Sequence, residues 1–164
     1  MFVFGHAGLT VTAAHALDRE TDLRWAAALS LAPDFLDKPL SKLVPALVHH
    51  NTRSFGHTLV FSLCVLAALL IWKRHPKAAL VLWGCYTGHF LLDGMWLGSN
   101  PAILFWPMLG AFPPPVRGPL ISWHVLYNLL GEIAGLIAIF KLARRYRLSE
   151  QPKLDAFLIS GRLP

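Results

Sequence analysis

His89 and Asp93 stand four residues apart, a spacing that puts an imidazole and a carboxylate on one face of a helix. Such a pair is a half-site for zinc or another divalent ion. His57 lies at the start of one apolar run, 55–72, and His89 and Asp93 near the end of the next, 78–97. The basic turn Lys73-Arg74-His75-Pro76-Lys77 joins the two runs. At 1.5 Å per residue, His89 and Asp93 lie roughly 18 and 24 Å from that turn, and His57 about 24 Å. All three therefore reach one level on antiparallel neighbours. His6 and Asp34 flank an N-terminal apolar hairpin and are expected at the same level. His6, Asp34, His57, His89 and Asp93 thus converge as metal ligands from four segments. Zinc suits that mixture of imidazole and carboxylate, with Mn and Fe as alternatives. A bare carboxylate in an apolar run costs several kcal/mol, so Asp93 needs an ion or a cationic partner.

A second stripe, His124, Asn128 and Glu132, recurs at i, i+4 and i+8. Glu132 is acidic, deep in its run and unpaired in sequence. It could be a further ligand, a partner that orients a ligating histidine, a general base, or half of a salt bridge to another helix. Gly131 and Gly135 read as packing residues that let helices approach closely.

The elements that must hold these groups follow from composition. Of 164 residues, 55% are hydrophobic and 15% charged, against about 25% charged in soluble domains. Mean hydropathy is +0.49. This excludes a disordered chain, a coiled coil and a secreted disulfide scaffold, and points to an integral membrane protein. The net charge of +6 sits at the ends of apolar runs, where the positive-inside rule accounts for it; nucleic acid is not an expected partner. Cys64 and Cys85 lie in apolar runs without CxxC spacing and read as inert. With no Lys or Arg before the first apolar stretch, a cleaved signal peptide is not expected.

The expected fold is all-α and polytopic. Three long transmembrane helices cover 55–72, 78–97 and 119–140, after a helical hairpin over 2–17 and 24–32 that enters from the outer side. Long loops, 34–54 and 98–118, lie outside, the second broken by Pro101, Pro107 and Pro113–Pro115. Residues 1–147 form one membrane domain, and 148–164 a cytoplasmic tail resting on the membrane surface. The basic turn and the basic end of the last run place the C-terminus in the cytoplasm and the ligand cluster at the outer face of the inner membrane.

Gly5-His6, Pro33-Asp34-Phe35-Leu36-Asp37, Arg53-Ser54-Phe55-Gly56-His57-Thr58, Gly88-His89-Phe90-Leu91-Leu92-Asp93 and Phe105-Trp106-Pro107 occur in that order. The order resembles the YdjM-type family of LexA-binding, inner-membrane-associated, metal-dependent hydrolases, over about residues 5 to 107. More distantly, the spacing is similar to the zinc-dependent phospholipase C and P1 nuclease group, which cleaves phosphodiesters. The resemblance implies that His6, Asp34, His57, His89 and Asp93 are metal ligands. It makes Asp37 a further ligand or an acid beside the ligands, and Arg53 the contact to substrate phosphate. One departure stands out: in the family's HRGxTHS element the first His falls on Thr52, and its Gly and Thr on Ser54 and Gly56. His49 or His50 is the expected substitute.

The expected function is a membrane-embedded hydrolase that cleaves a phosphoester of a lipid or amphiphile with metal-activated water. Arg53 would hold the phosphate, and Asp37 or Glu132 would accept the proton. Two alternatives use the same cluster. One is a metal- or proton-linked transporter relaying through His57, His89, Asp93 and Glu132, which would need to oligomerise. The other is a structural membrane subunit whose His and Asp residues bridge helices.

Overall fold

The computed structural model describes residues 3–73, 75–115 and 123–164. Every regular element among them is helical: α1 (Val3–Leu17), α2 (Leu23–Leu43), α3 (Pro45–Val48), a 3₁₀ turn (Phe55–His57), α4 (Leu59–Trp72), α5 (Pro76–Leu92), α6 (Asn100–Leu104), α7 (Trp123–Arg145) and α8 (Gln151–Ser160). The side chain of His124 lies outside the described set.

The N-terminal hairpin is present. Asp22 caps α2 by accepting from the Arg24 N–H at 3.0 Å, which satisfies one of the donors a helix start leaves open. The second arm is longer than expected, however. It runs through Pro33 and Pro39 to Leu43, so Asp34 and Asp37 stand on a helix and not in a loop. A proline inside a helix costs about 3 kcal/mol. Here the face carrying Ala26, Ser30, Pro33, Asp37 and Ser41 is buried at helical spacing, and tertiary bonds to Asp37 hold the extension in place.

The expectation of three long transmembrane helices is not met. Among the described residues one helix, α7, is long and apolar enough to cross a membrane. The first expected span begins with the 3₁₀ turn. Thr58 then turns extended and its hydroxyl accepts from the Phe61 N–H at 3.1 Å, so α4 starts only at Leu59. Its 14 residues measure about 21 Å, short of a hydrocarbon core of about 30 Å. The second expected span stops at Leu92. Gly94, in the left-handed region at φ 62°, closes α5 with bonds from Gly94 N–H to Leu91 O at 3.2 Å and from Met95 N–H to Phe90 O at 3.0 Å. That pairing is a Schellman stop, which a residue with a Cβ rarely permits. The apolar residues 95–97 therefore follow the helix and do not lengthen it. By contrast, only 6% of the most apolar window of α7 is buried in the protein. Leu129, Leu130, Ile133, Leu136 and Ile137 stand exposed on several sides of it, the pattern of a helix solvated by lipid.

α1 is the hub, packing on α2, α5 and α7. Its crossing with α7 is backbone on backbone. A Cβ on Gly8 would lie 2.2 Å from the Gly135 carbonyl oxygen, and one on Gly135 would lie 2.0 Å from that of Phe4. Two apolar clusters fill the rest: Leu23, Leu69, Leu82 and Cys85 at the turn end, and Tyr86, Phe90, Met95 and Phe112 behind the 3₁₀ turn. The C-terminal residues fold back on the α1–α2 turn. Arg24 donates to the carbonyls of Leu158 and Ile159 at 2.7 and 3.2 Å, and Gly161 accepts from the Leu23 N–H at 2.7 Å.

Gly135→Ala is expected to cost about 1–3 kcal/mol through overpacking, read as a lowered midpoint of thermal unfolding in detergent. Gly84→Ala is the control, because its Cβ would meet nothing within 4 Å. Equal midpoints for the two variants would exclude the close α1–α7 crossing.

Candidate metal centre

Four side chains meet where α2, the 3₁₀ turn and the end of α5 converge. Asp34, His57, His89 and Asp93 each bring one donor atom to a group whose members all lie within 4.8 Å of one another. The Nε2 atoms of His57 and His89 are 3.1 Å apart. Asp34 Oδ1 lies 3.9 and 3.8 Å from them, as does Asp93 Oδ2. Donors about 2.0–2.1 Å from a tetrahedral ion are roughly 3.3 Å apart, so the observed separations bracket the value a shared ion requires.

The other ring nitrogens fix the protons. His89 Nδ1 lies 2.7 Å from the Ser30 carbonyl; a carbonyl only accepts, so Nδ1 carries the hydrogen. His57 Nδ1 lies 2.7 Å from Asp37 Oδ2. That carboxylate also accepts the N–H groups of Ser54 at 2.6 Å and Gly56 at 2.9 Å. Burial opposes its charge, but the bond and charge of His57 and the two backbone donors outweigh burial and hold the Asp37 carboxyl below its ordinary value. Asp37 is thus a pure acceptor and His57 Nδ1 a donor. In neutral rings both Nε2 atoms then present lone pairs to each other across 3.1 Å, a contact that repels. Burial first, then His6 and His57, push the His89 imidazole down to about 3 against the pull of Asp93 and Asp34. A positive charge between the two nitrogens, a bound cation or a shared proton, relieves it.

Local sequence explains the convergence. Pro33 has no N–H for the Leu29 carbonyl, which leaves α2 one bond short at the turn whose Ser30 carbonyl takes up His89. Glycine is required at 56: a Cβ there would lie 2.9 Å from the Pro33 carbonyl oxygen and 3.2 Å from Asp37 Oδ1. Tyr86 donates its hydroxyl hydrogen to the Gly56 carbonyl and pins the turn to α5.

Asp93 is held from two sides. His6 Nε2 lies 3.1 Å from Oδ1, and Arg53 places Nε at 3.1 Å and Nη2 at 2.9 Å from Oδ2. Burial works against its charge, yet the His6 bond and the Arg53 charge hold the carboxyl well below the carboxylate range. Arg53 is itself anchored, its N–H donating to Asn51 Oδ1 at 3.0 Å while Asn51 Nδ2 donates to the Pro113 carbonyl at 2.9 Å.

The remaining candidates fall elsewhere or take other roles. His6 stacks on His89 with ring centroids 3.9 Å apart, but its Nε2 faces Asp93 and the group of four does not include it. Asp37 orients His57 instead of joining the group. Glu132 accepts the N–H groups of Gly5 at 2.8 Å and Phe4 at 3.1 Å, capping the start of α1 far from the donors in role. Asn128 is half-buried and outside the group. His49 and His50 are exposed left-handed residues at φ 51° and 58°, and Thr52 is exposed; none replaces the histidine absent at 52. The Ser30 carbonyl and the Tyr86 hydroxyl were not foreseen. A backbone acceptor leaves no mark in residue type, whereas Gly56 stood in plain view inside a quoted motif.

A family model described as YdjM inner membrane protein matches residues 1–157. No curated protein and no solved structure matches the chain.

Detergent-purified protein is expected to carry a divalent ion, measured by elemental mass spectrometry, that is lost in His57→Ala and in His89→Ala. Retention of the ion in both would move the centre elsewhere. Asp37→Asn is expected to weaken ion affinity about 10–100-fold, while Glu132→Gln leaves it as in wild type. Titration with a competing chelator reads both.

Proposed function

The chain belongs to the YdjM inner membrane protein family, and we propose that it is a metal-dependent hydrolase of phosphoester bonds in lipid or amphiphilic substrates. The observation that carries this reading is the opposed Nε2 pair of His57 and His89, 3.1 Å apart with two carboxylates flanking it. Asp34, His57, His89 and Asp93 would hold the ion. A divalent ion in such a site acidifies water to near neutral pKa and polarises a phosphoryl oxygen. Zinc fits two imidazoles and two carboxylates.

The chain's own groups divide the remaining work. Arg53 is 35% exposed and is the guanidinium beside the donors. Its planar fork matches a phosphate as well as a carboxylate, so it receives the phosphoryl group and leaves Asp93 to the ion. Asp34 is the most accessible donor, 19% exposed, with Oδ2 on Lys38 at 2.7 Å. Substrate therefore approaches from its side, and its outer oxygen accepts the proton released by water. Asp37 already accepts three N–H groups, and Glu132 already caps α1. Neither is placed to act as base, and Asp37 serves as a positioning residue.

The basic end of α7, with Arg144 and Arg145, would face the cytoplasm under the positive-inside rule. The donors, at the opposite end of α5 from Lys77, would then lie toward the outer face.

A second reading rests on the donor count. Four protein donors fill a tetrahedral ion, and filled sites are structural, here tying α2 to the 3₁₀ turn and α5. Hydrolysis separates the two. The metal-loaded protein is expected to hydrolyse bis(p-nitrophenyl) phosphate or dioleoyl phosphatidic acid, to stop on chelation and to recover with added Zn or Mn. Arg53→Ala is expected to lower kcat/KM about 100-fold, or about 2.7 kcal/mol, with ion content unchanged. A loaded, folded protein inert toward both substrates would leave the structural reading.

A further inference from the structure

We propose that the groove between α1 and α5 seats one hydrocarbon chain of a membrane lipid. The groove has a volume of about 520 Å³ and is lined by residues including Thr10 and Leu17 of α1 and Leu80, Gly84 and Cys85 of α5, with Lys77 at one end.

The lining residues recur at helical spacing on both helices, so the groove follows the helix axes. It ends one turn short of the centre: Thr10 is one turn from His6 on α1 and Cys85 one turn from His89 on α5, and those two buried rings, stacked 3.9 Å apart, close it. Small residues open its floor. A Cβ on Gly84 would meet nothing within 4 Å, and one on Gly88 only Thr10 Oγ1 at 3.9 Å.

Length sets the occupant. Leu80 lies nine residues before His89, about 14 Å along the helix. One leaflet of the hydrocarbon core is about 15 Å thick, half of the full 30 Å, which is the depth of a single lipid chain. Beyond Leu80 the ion pair of Lys77 with Asp18, 3.3 Å, ends the apolar path. Between those limits Thr10 is the polar lining residue. Its chemistry is that of an acyl or isoprenoid chain, not of a polar ligand.

The test uses full-length protein in nanodiscs of dioleoylphosphatidylcholine doped with phosphatidic acid that carries a diazirine on one acyl chain. After irradiation, peptide mass spectrometry is expected to place the label within residues 10–17 and 80–85. Gly84→Trp, at a position whose Cβ would meet nothing within 4 Å, is expected to reduce that label at least tenfold while ion content stays unchanged. Leu130→Trp, on the exposed face of α7, should leave the pattern as in wild type. Label spread equally over α7, or undiminished in Gly84→Trp, would overturn the proposal. Labelling requires neither ion nor turnover, so its outcome is read independently of whether the hydrolase reading holds.

Discussion

The structure depends on two imidazoles whose outer nitrogens are committed as donors. Ser30 holds His89 and Asp37 holds His57 at 2.7 Å each, and both bonds turn the inner nitrogens toward one point. Everything that sets their 3.1 Å separation is local and stiff. A carbonyl on a proline-containing helix, a buried carboxylate with three donors and a glycine pressed on that helix leave neither ring free to turn. Electrostatics inside a poorly solvated site make such a conflict costly, and equally make its relief by a cation favourable.

Around that point the helices have separable duties. α2 supplies a carboxylate donor, the orienting carboxylate and the accepting carbonyl within two turns, which is why its extension to Leu43 matters more than the hairpin it begins. α5 supplies a histidine and, at the cap just past its last residue, an aspartate, and the left-handed Gly94 closes it. α1 contributes His6 as a stacking partner and a brace on Asp93, and it is clamped to the lipid-exposed α7 by contacts between glycine backbones. Glu132 secures the same clamp by accepting the first N–H groups of α1, where a negative charge also complements the helix dipole. The deep acid of α7 thus serves the assembly of the hub.

Much of the centre was legible in residue types. His57, His89 and Asp93 were placed together by counting residues from the basic turn, because helix rise is nearly constant, and Asp34 joined them from the exit of the N-terminal hairpin. Helix ends were not legible in the same way. Apolar content continues through Phe55 to Thr58 and through Met95 to Leu97, but a threonine cap and a left-handed glycine stop the helices inside those runs. Hydropathy registers neither. The second hairpin arm was expected over 24–32 with a loop over 34–54, whereas burial of one face of α2 and the bonds to Asp37 carry the helix through Pro33 and Pro39 to Leu43. The role of Glu132 was open for a related reason, since its partners are backbone N–H groups far away in sequence.

Arg53 grips the same oxygen of Asp93 that faces the two imidazoles, and this has a consequence for how ligands sense one another. Any anion that draws the guanidinium away returns electron density to that carboxylate and makes it a better donor to a cation. By thermodynamic linkage the effect is reciprocal: a cation that claims Asp93 frees Arg53 and raises the affinity for the anion by the same factor. Because Arg53 is tied through Asn51 to Pro113, the exchange also reaches the second long loop. One shared oxygen atom would thus couple the binding of opposite charges at this corner of the protein.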